Sequence, residues 1–264
     1  MTEISGDSEI VLKVENIAVH FGGLVAISDL NLVVRQGEIV SLIGPNGAGK
    51  TTAFNVITGF LKPTSGSISY LGKPLTGLPA HEVAKHGVVR TFQKTSVFDG
   101  NTVIENILMG LHLKGTSKVW EVLLNLARVN AENKYLNARA LEILDQVDLS
   151  DKGSEMASDL AYGELRLLEV AIALAAEPTL LLLDEPASGM NPTETASFMK
   201  IVSKIRGSGT TILLVEHDMR MVMEISDRIV VLNQGVIIAD GTPGEIQQNS
   251  EVIHAYLGYG DENA

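Results

Sequence analysis

The stretch Gly44-Pro-Asn-Gly-Ala-Gly-Lys-Thr51 constrains this chain more than any other. It matches G-x-x-x-x-G-K-[ST] and lies between the apolar run I-V-S-L-I and a helical pattern over Thr52–Gly59. Phosphate oxygens need several converging backbone N–H donors, and glycines let the main chain turn tightly enough to supply them. Lys50 is expected to reach the β- and γ-phosphates, and the Thr51 hydroxyl to ligate Mg2+. Chance matches arise in roughly one chain in a hundred of this length. Kinases, GTPases and ATPases all use such loops, so the motif gives a nucleotide and no more.

Segments rich in Val, Ile and Leu recur along the chain: Val11–Val19, Glu38–Ile43, Ser67–Tyr70, Val88–Phe92, Leu180–Leu183, Thr211–Val215, Ile229–Leu232 and Val236–Ala239. The short runs before Gly44 and Asp184 read as buried parallel strands. The N-terminal segments and Val231–Ala239 read as antiparallel, with N-Q-G (233–235) as a hairpin turn. Strand signals fade between Asn101 and Asp159. There Ser117–Arg128 and Ala131–Val147 have helical periodicity, with Leu136, Leu141, Leu144 and Val147 on one stripe. The fold class is therefore α/β, with a helical block inserted in a mostly parallel sheet and an antiparallel N-terminal part.

Two acids close the run Leu180-Leu-Leu-Leu-Asp184-Glu185-Pro186. A strand-end Asp suits the magnesium shell of a loop-bound nucleotide, and Asp184 fits. Glu185 adds what that shell does not require: a carboxylate that can take a proton from water attacking the γ-phosphate. His217 ends the strand of T-I-L-L-V-E-H-D, where a lone histidine is more often structural. By the same default Gln93 is a solvated loop amide and Phe21 a core residue. The segment D-L-A-Y-G-E-L-R-L-L-E-V (159–170) reads as a second helix start bearing a glycine, far beyond the phosphate loop.

Bulk properties exclude other classes. A formal net charge of −12 over 264 residues repels a phosphodiester backbone, so nucleic acid is not an expected partner. With no cysteine there is no disulfide, thiolate metal site or Cys nucleophile, and the six histidines show no paired metal spacing. The apolar stretch Leu167–Leu183 is broken by Glu169, Glu177 and Pro178, too interrupted to span a bilayer. The polar, acidic N-terminus does not read as a signal peptide.

Taken in order, Phe21, G-P-N-G-A-G-K-T-T (44–52), Gln93, L-A-Y-G-E (160–164), L-L-L-L-D-E-P and His217 resemble the ATP-binding-cassette family. The resemblance implies one nucleotide-binding domain over 10–258, a helical subdomain over 97–165 inserted in the ATPase core, and flexible tails at 1–9 and 259–264. It implies ATP and Mg2+ as ligands. Gly44, Pro45, Asn46, Gly47, Ala48, Gly49, Lys50, Thr51 and Thr52 would hold the phosphates, and Phe21 would stack on adenine. Thr51, Gln93 and Asp184 would serve the metal, with Gln93 also linking it to the membrane partner. Glu185 would be the general base, and His217 would hold the γ-phosphate and the water. Ala161, Tyr162, Gly163 and Glu164 would complete the site of a second cassette, set head to tail, through the anion affinity of a helix N-terminus.

This chain departs from the common L-S-G-G-Q at Ala161, Tyr162 and Glu164, and from S-A-L-D at S-G-M-N (188–191), with Asn191 in the Asp place. Loss of the serine hydroxyl removes a charged hydrogen bond, about 1.5–3 kcal/mol if nothing compensates. With R-T-F-Q and T-V-I-E-N-I, these departures are similar to one branch, the ATPase subunits of branched-chain (hydrophobic) amino acid importers. That implies a second ATPase subunit, identical or different, two membrane permeases, a substrate-binding protein, and a place on the cytoplasmic face of the membrane. A permease helix would dock in a groove near Gln93, where Val97, Phe98 and Val103 follow. Importers of urea or amides and the lipopolysaccharide-extracting transporter share this ATPase type. A soluble non-transport cassette is disfavoured by the single cassette and the negative charge.

Overall fold

The computed structural model describes residues 9–91, 97–112 and 127–257. Gln93, the tail residues 1–8 and 258–264, and most of the Ser117–Arg128 segment lie outside the described residues. The strands are β1 (Ile10–Phe21), β2 (Leu24–Arg35), β3 (Ile39–Ile43), β4 (Ser65–Tyr70), β5 (Lys73–Pro74), β6 (Val88–Arg90), β7 (Leu180–Asp184), β8 (Thr211–Val215), β9 (Arg228–Asn233) and β10 (Val236–Gly241). The helices are α1 (Lys50–Ile57), α2 (Ala80–Lys85), α3 (Val103–His112), α4 (Ala127–Gln146), α5 (Tyr162–Ala175), α6 (Pro192–Gly207), α7 (Met219–Ile225), α8 (Pro243–Gln248) and α9 (Ser250–Leu257).

The described strands form one sheet in the order β5-β4-β1-β2-β10-β9-β3-β8-β7-β6. The β1 strand pairs antiparallel with β2 and β4, and β9 pairs antiparallel with β10 across the 233–235 turn, as the sequence predicts. The β3–β8, β3–β9, β7–β8 and β6–β7 pairs are parallel. Every residue of β3, β7 and β8 is buried. Their apolar runs are continuous because both faces are covered: Leu181 and Leu183 enter the core under the helical block, while Leu180 and Leu182 enter the core around α1.

Three readings need correction. The twelve residues of β2 are missing from the segments recognised by composition. Their apolar alternation is interrupted by Ser28, Asp29 and Asn31, and only Ile27, Leu30, Leu32 and Val34 face the core. In α4, Leu141 is 56% exposed and does not share the stripe of Leu136, Leu144 and Val147. Five residues carry it about 140° around the helix from Leu136; Ala140 and Ile143 take the inward place. Val103 is fully buried, its N–H donating to the Glu155 carbonyl at 3.0 Å, so it belongs to the core and not to a docking surface.

Candidate functional site

Parallel strands deliver their C-terminal ends to one edge of the sheet, where an α/β fold has its natural crevice. There β3 runs into the phosphate loop, β7 ends at Asp184 and β8 leads into Glu216 and His217. In register, Asp184 stands opposite Val215, and Ser41 opposite Leu214. The predicted residues of the loop, Asp184, Glu185 and His217 are therefore brought together from three strands.

The loop itself depends on close approach. Gly44 has φ 151°, and a Cβ there would lie 2.0 Å from the Leu232 carbonyl oxygen on β9. The hairpin turn seats the loop from another side, with the Gly235 N–H donating to Ala48 O at 2.9 Å. Lys50 is 7% exposed, and its Nζ donates to the Gly44 and Pro45 carbonyls at 2.6 and 3.0 Å. Burial lowers its pKa, opposed by the negative charges of Glu185 and Asp184. Asn46, Gly47 and Thr51 are exposed, whereas Ala48 is buried and Pro45, Gly49 and Thr52 are half-buried. The helix begins at Lys50, two residues earlier than its sequence pattern suggests.

Asp184 is held by a partner that the motifs do not reveal. Arg90, at the end of β6, places Nη2 2.5 Å from Oδ2 of Asp184, and the two side chains are 7% and 3% exposed. The same guanidinium donates through Nη1 to Asn55 Oδ1 on α1 at 2.7 Å and lies 5.5 Å from the centre of the Phe54 ring. Arg90 thus ties β6, β7 and α1 together beneath the crevice. Arg90 opens the R-T-F-Q segment, but the sequence does not tell its role, because its partner is 94 residues away.

Glu185 sits in the left-handed region, φ 48°, with its N–H donating to Val215 O at 2.8 Å. Non-glycine residues held in this conformation carry a backbone cost and concentrate at functional sites. His217 Nε2 lies 2.6 Å from Glu185 Oε1, so with the carboxylate ionised the imidazole donates. Glu216, 4% exposed, was also not singled out by the sequence. Its carboxylate accepts from the N–H groups of Ala187 at 2.7 Å and His217 at 2.9 Å.

The second helix start is real: α5 begins at Tyr162, with Ala161 as its cap residue. Alanine offers no side-chain acceptor there, and Glu164 folds back to accept from the Ala161 N–H at 2.9 Å. Tyr162 donates to the Ser188 carbonyl at 2.8 Å. Gly163 lies against Glu194 of α6, whose carboxyl carbon is 3.3 Å from the position a Cβ would take. Asn191 caps α6, accepting from Thr193 and Glu194 N–H at 2.9 and 3.0 Å. In the place of an aspartate it performs the same capping, since both rank high at that position. Phe21 closes β1 and is 51% exposed, so it is not a core residue.

The donors suited to a cation here are oxygens, the Thr51 hydroxyl and the Asp184 carboxylate, and among the described residues no group of three or more His, Cys, Asp or Glu could hold a metal unaided. That suits Mg2+, which keeps waters and substrate phosphates in its shell.

A glycine-rich loop at the crevice, a carboxylate in strained backbone beside it and a separate helix start together form more than a phosphotransferase needs. The fold is that of an ATP-binding cassette, and a family model described as ABC transporter matches residues 27–188. A second model, branched-chain amino acid ATP-binding cassette transporter, matches residues 236–262. The chain is 46% identical to the high-affinity branched-chain amino acid transport ATP-binding protein LivG of Escherichia coli, over 95% of this chain and 99% of that one. It is 44% identical to BraF of Pseudomonas aeruginosa, of the same description, over 94% and 98%. The solved ADP conformation of an ATP-binding cassette of an ABC transporter superposes with TM-score 0.83 at 31% identity, covering 94% of this chain and 99% of that one. The chain belongs to the family of branched-chain amino acid transport ATP-binding proteins, and it is an ABC transporter ATPase. Among the described residues no helix is long and apolar enough to cross a membrane.

Proposed function

We propose that residues 10–258 act as one nucleotide-binding domain, with the helical block of 97–165 inserted in it, that powers import of branched-chain or other hydrophobic amino acids. The convergence of Lys50, Thr51, Asp184, Glu185 and His217 at the ends of β3, β7 and β8 carries this reading. Residues 44–52 hold the phosphates of ATP, and Lys50 exchanges its two loop carbonyls for phosphate oxygens. Phe21 offers its exposed ring to adenine. Thr51 and Asp184, with Gln93 by family resemblance, would hold Mg2+, which would neutralise charge on the β- and γ-phosphates. Glu185 accepts the proton of the attacking water, and His217 leaves Glu185 to hold the γ-phosphate.

Helix α5 offers its N-terminus to the nucleotide of a second ATPase subunit, where unpaired N–H groups attract anions. The Ala161–Glu164 backbone makes that contact without a serine hydroxyl. Two permeases and a substrate-binding protein complete the transporter, with this chain peripheral on the cytoplasmic face. Phe98, 56% exposed, and Met109, 40% exposed, offer apolar surface on the helical block for a permease helix. The cargo reading is supported by the family model over the C-terminal residues and by the two relatives.

The Glu185→Gln protein tests the reading. It should bind ATP while turnover falls at least about a hundredfold, the scale for a lost general base; retained turnover removes Glu185 from that role. Its solution mass with Mg-ATP separates partners: doubling means a symmetric pair, and an ATP-bound monomer means that a different cassette is required. Loss of leucine uptake on deletion of this subunit, restored by the native chain and not by Glu185→Gln, tests the cargo.

A further inference from the structure

Two side chains that the chemistry itself does not need grip the loop after Glu185 from opposite sides. On one side, Glu216 accepts from Ala187 N–H at 2.7 Å with Oε1 and from His217 N–H at 2.9 Å with Oε2. A single buried carboxylate thus fixes both the Pro186–Ala187 peptide and the backbone of the histidine that pairs with Glu185. On the other side, the Tyr162 hydroxyl donates to Ser188 O at 2.8 Å and accepts from Arg166 Nε and Nη2 at 3.2 and 2.8 Å. Arg166 also lies 5.2 Å from the Tyr162 ring centre and donates through Nη1 to the buried Glu169 at 2.8 Å. The tyrosine is therefore held in place from its own helix. Gly189, with φ 83°, rests on the ring, whose nearest carbon is 3.0 Å from the position of a Cβ. Two residues further on, Asn191 is locked as the cap of α6.

The loop is pinned at 187 and 188 and anchored at 191, so a displacement at its start has little slack in which to dissipate. The 2.6 Å bond between His217 and Glu185 must open for the histidine to reach a phosphate. The backbone N–H of His217 and that of Ala187 share Glu216, so any shift of the His217 backbone that accompanies this opening is felt by the loop and, through Ser188, by Tyr162. We propose that Tyr162 and Glu216 are positioning residues of an intrachain coupling between the Glu185–His217 pair and the N-terminus of α5. Nucleotide on a chain's own phosphate loop then changes how that chain presents α5 to its partner. By linkage, a nucleotide bound against α5 changes the affinity of the chain's own phosphate loop for nucleotide by the same factor. The inference rests on the proposed reading that α5 serves the nucleotide of a second cassette.

The test is hydrogen exchange, followed by mass spectrometry, on the full chain with and without a non-hydrolysable ATP analogue and Mg2+. The protein is diluted until light scattering gives a single-chain mass. In the native protein, exchange should slow in peptides covering 44–51 and also in those covering 160–168. The second effect should be about two- to tenfold, the factor one neutral hydrogen bond supplies. Tyr162→Phe keeps the ring but loses the donor, and should lose the response at 160–168 while keeping it at 44–51. Glu216→Gln should do the same and serves if the first variant melts early. An undiminished response at 160–168 in a folded variant overturns the coupling. So does a native protein that responds at 44–51 alone. A native protein with no response at 44–51 overturns the nucleotide reading itself.

Discussion

Replacing Arg90 by Met should expose how much of the site rests on one buried pair. The substitution keeps an unbranched side chain of similar reach over Phe54 and removes the charge. Asp184 would then be left 3% exposed without its 2.5 Å partner, and Asn55 would lose the donor 2.7 Å away. At an effective dielectric near 20, opposite charges about 4 Å apart attract by about 4 kcal/mol. Breaking a buried pair by removing one partner costs about 3–5 kcal/mol, because the remaining charge is uncompensated. For a chain of this size about 1 kcal/mol moves the melting temperature by 2–4 °C, so a fall on the order of 10 °C is expected. Scanning calorimetry without nucleotide gives the number. Arg90→Met combined with Asp184→Asn should recover most of the loss, since no unpaired charge remains. Mg-ATP should stabilise Arg90→Met more than the native protein, because the cation supplies the counter-charge that Asp184 has lost. A variant within 1 kcal/mol of native, or a double variant no better than the single one, would refute the reasoning.

Two further outcomes follow from the loop and the cap. Gly44→Ala puts a Cβ 2.0 Å from a backbone oxygen that cannot step aside, so ATP binding by calorimetric titration should be lost, while Gly47→Ala, with open space around it, carries only the backbone strain of its φ of 79° and is milder. Asn191→Ala should cost about 1 kcal/mol in urea unfolding, whereas Asn191→Asp should be nearly neutral; equal losses would show that capping is not the role of Asn191.

What could be read from the sequence was local. The phosphate loop announces itself because its glycines, lysine and threonine are consecutive, and β7 because a double-sided strand must be apolar at every position before its two acids. The α5 start was legible from a glycine and an apolar spacing on one helix. Arg90 was not, because nothing near it in sequence says that a carboxylate 94 residues on will need it. Glu216 reads as the polar end of a strand until the fold brings Ala187 beside it. The β2 strand hides because its core face exists only once β1 is paired beside it. Leu141 misleads because an apolar residue near a stripe is counted with it unless its angle is followed around the helix.

The two ends of the sheet have a consequence for life in a crowded assembly. One edge is β5, two residues long and made of Lys73 and Pro74, and the other is β6, three residues ending in Arg90. Long, flat edges are templates on which further strands add without limit, and short edges bearing lysine or proline refuse that growth. A chain with such edges has closed the indiscriminate route to association through its sheet. What remains open is contact through loops and helix ends.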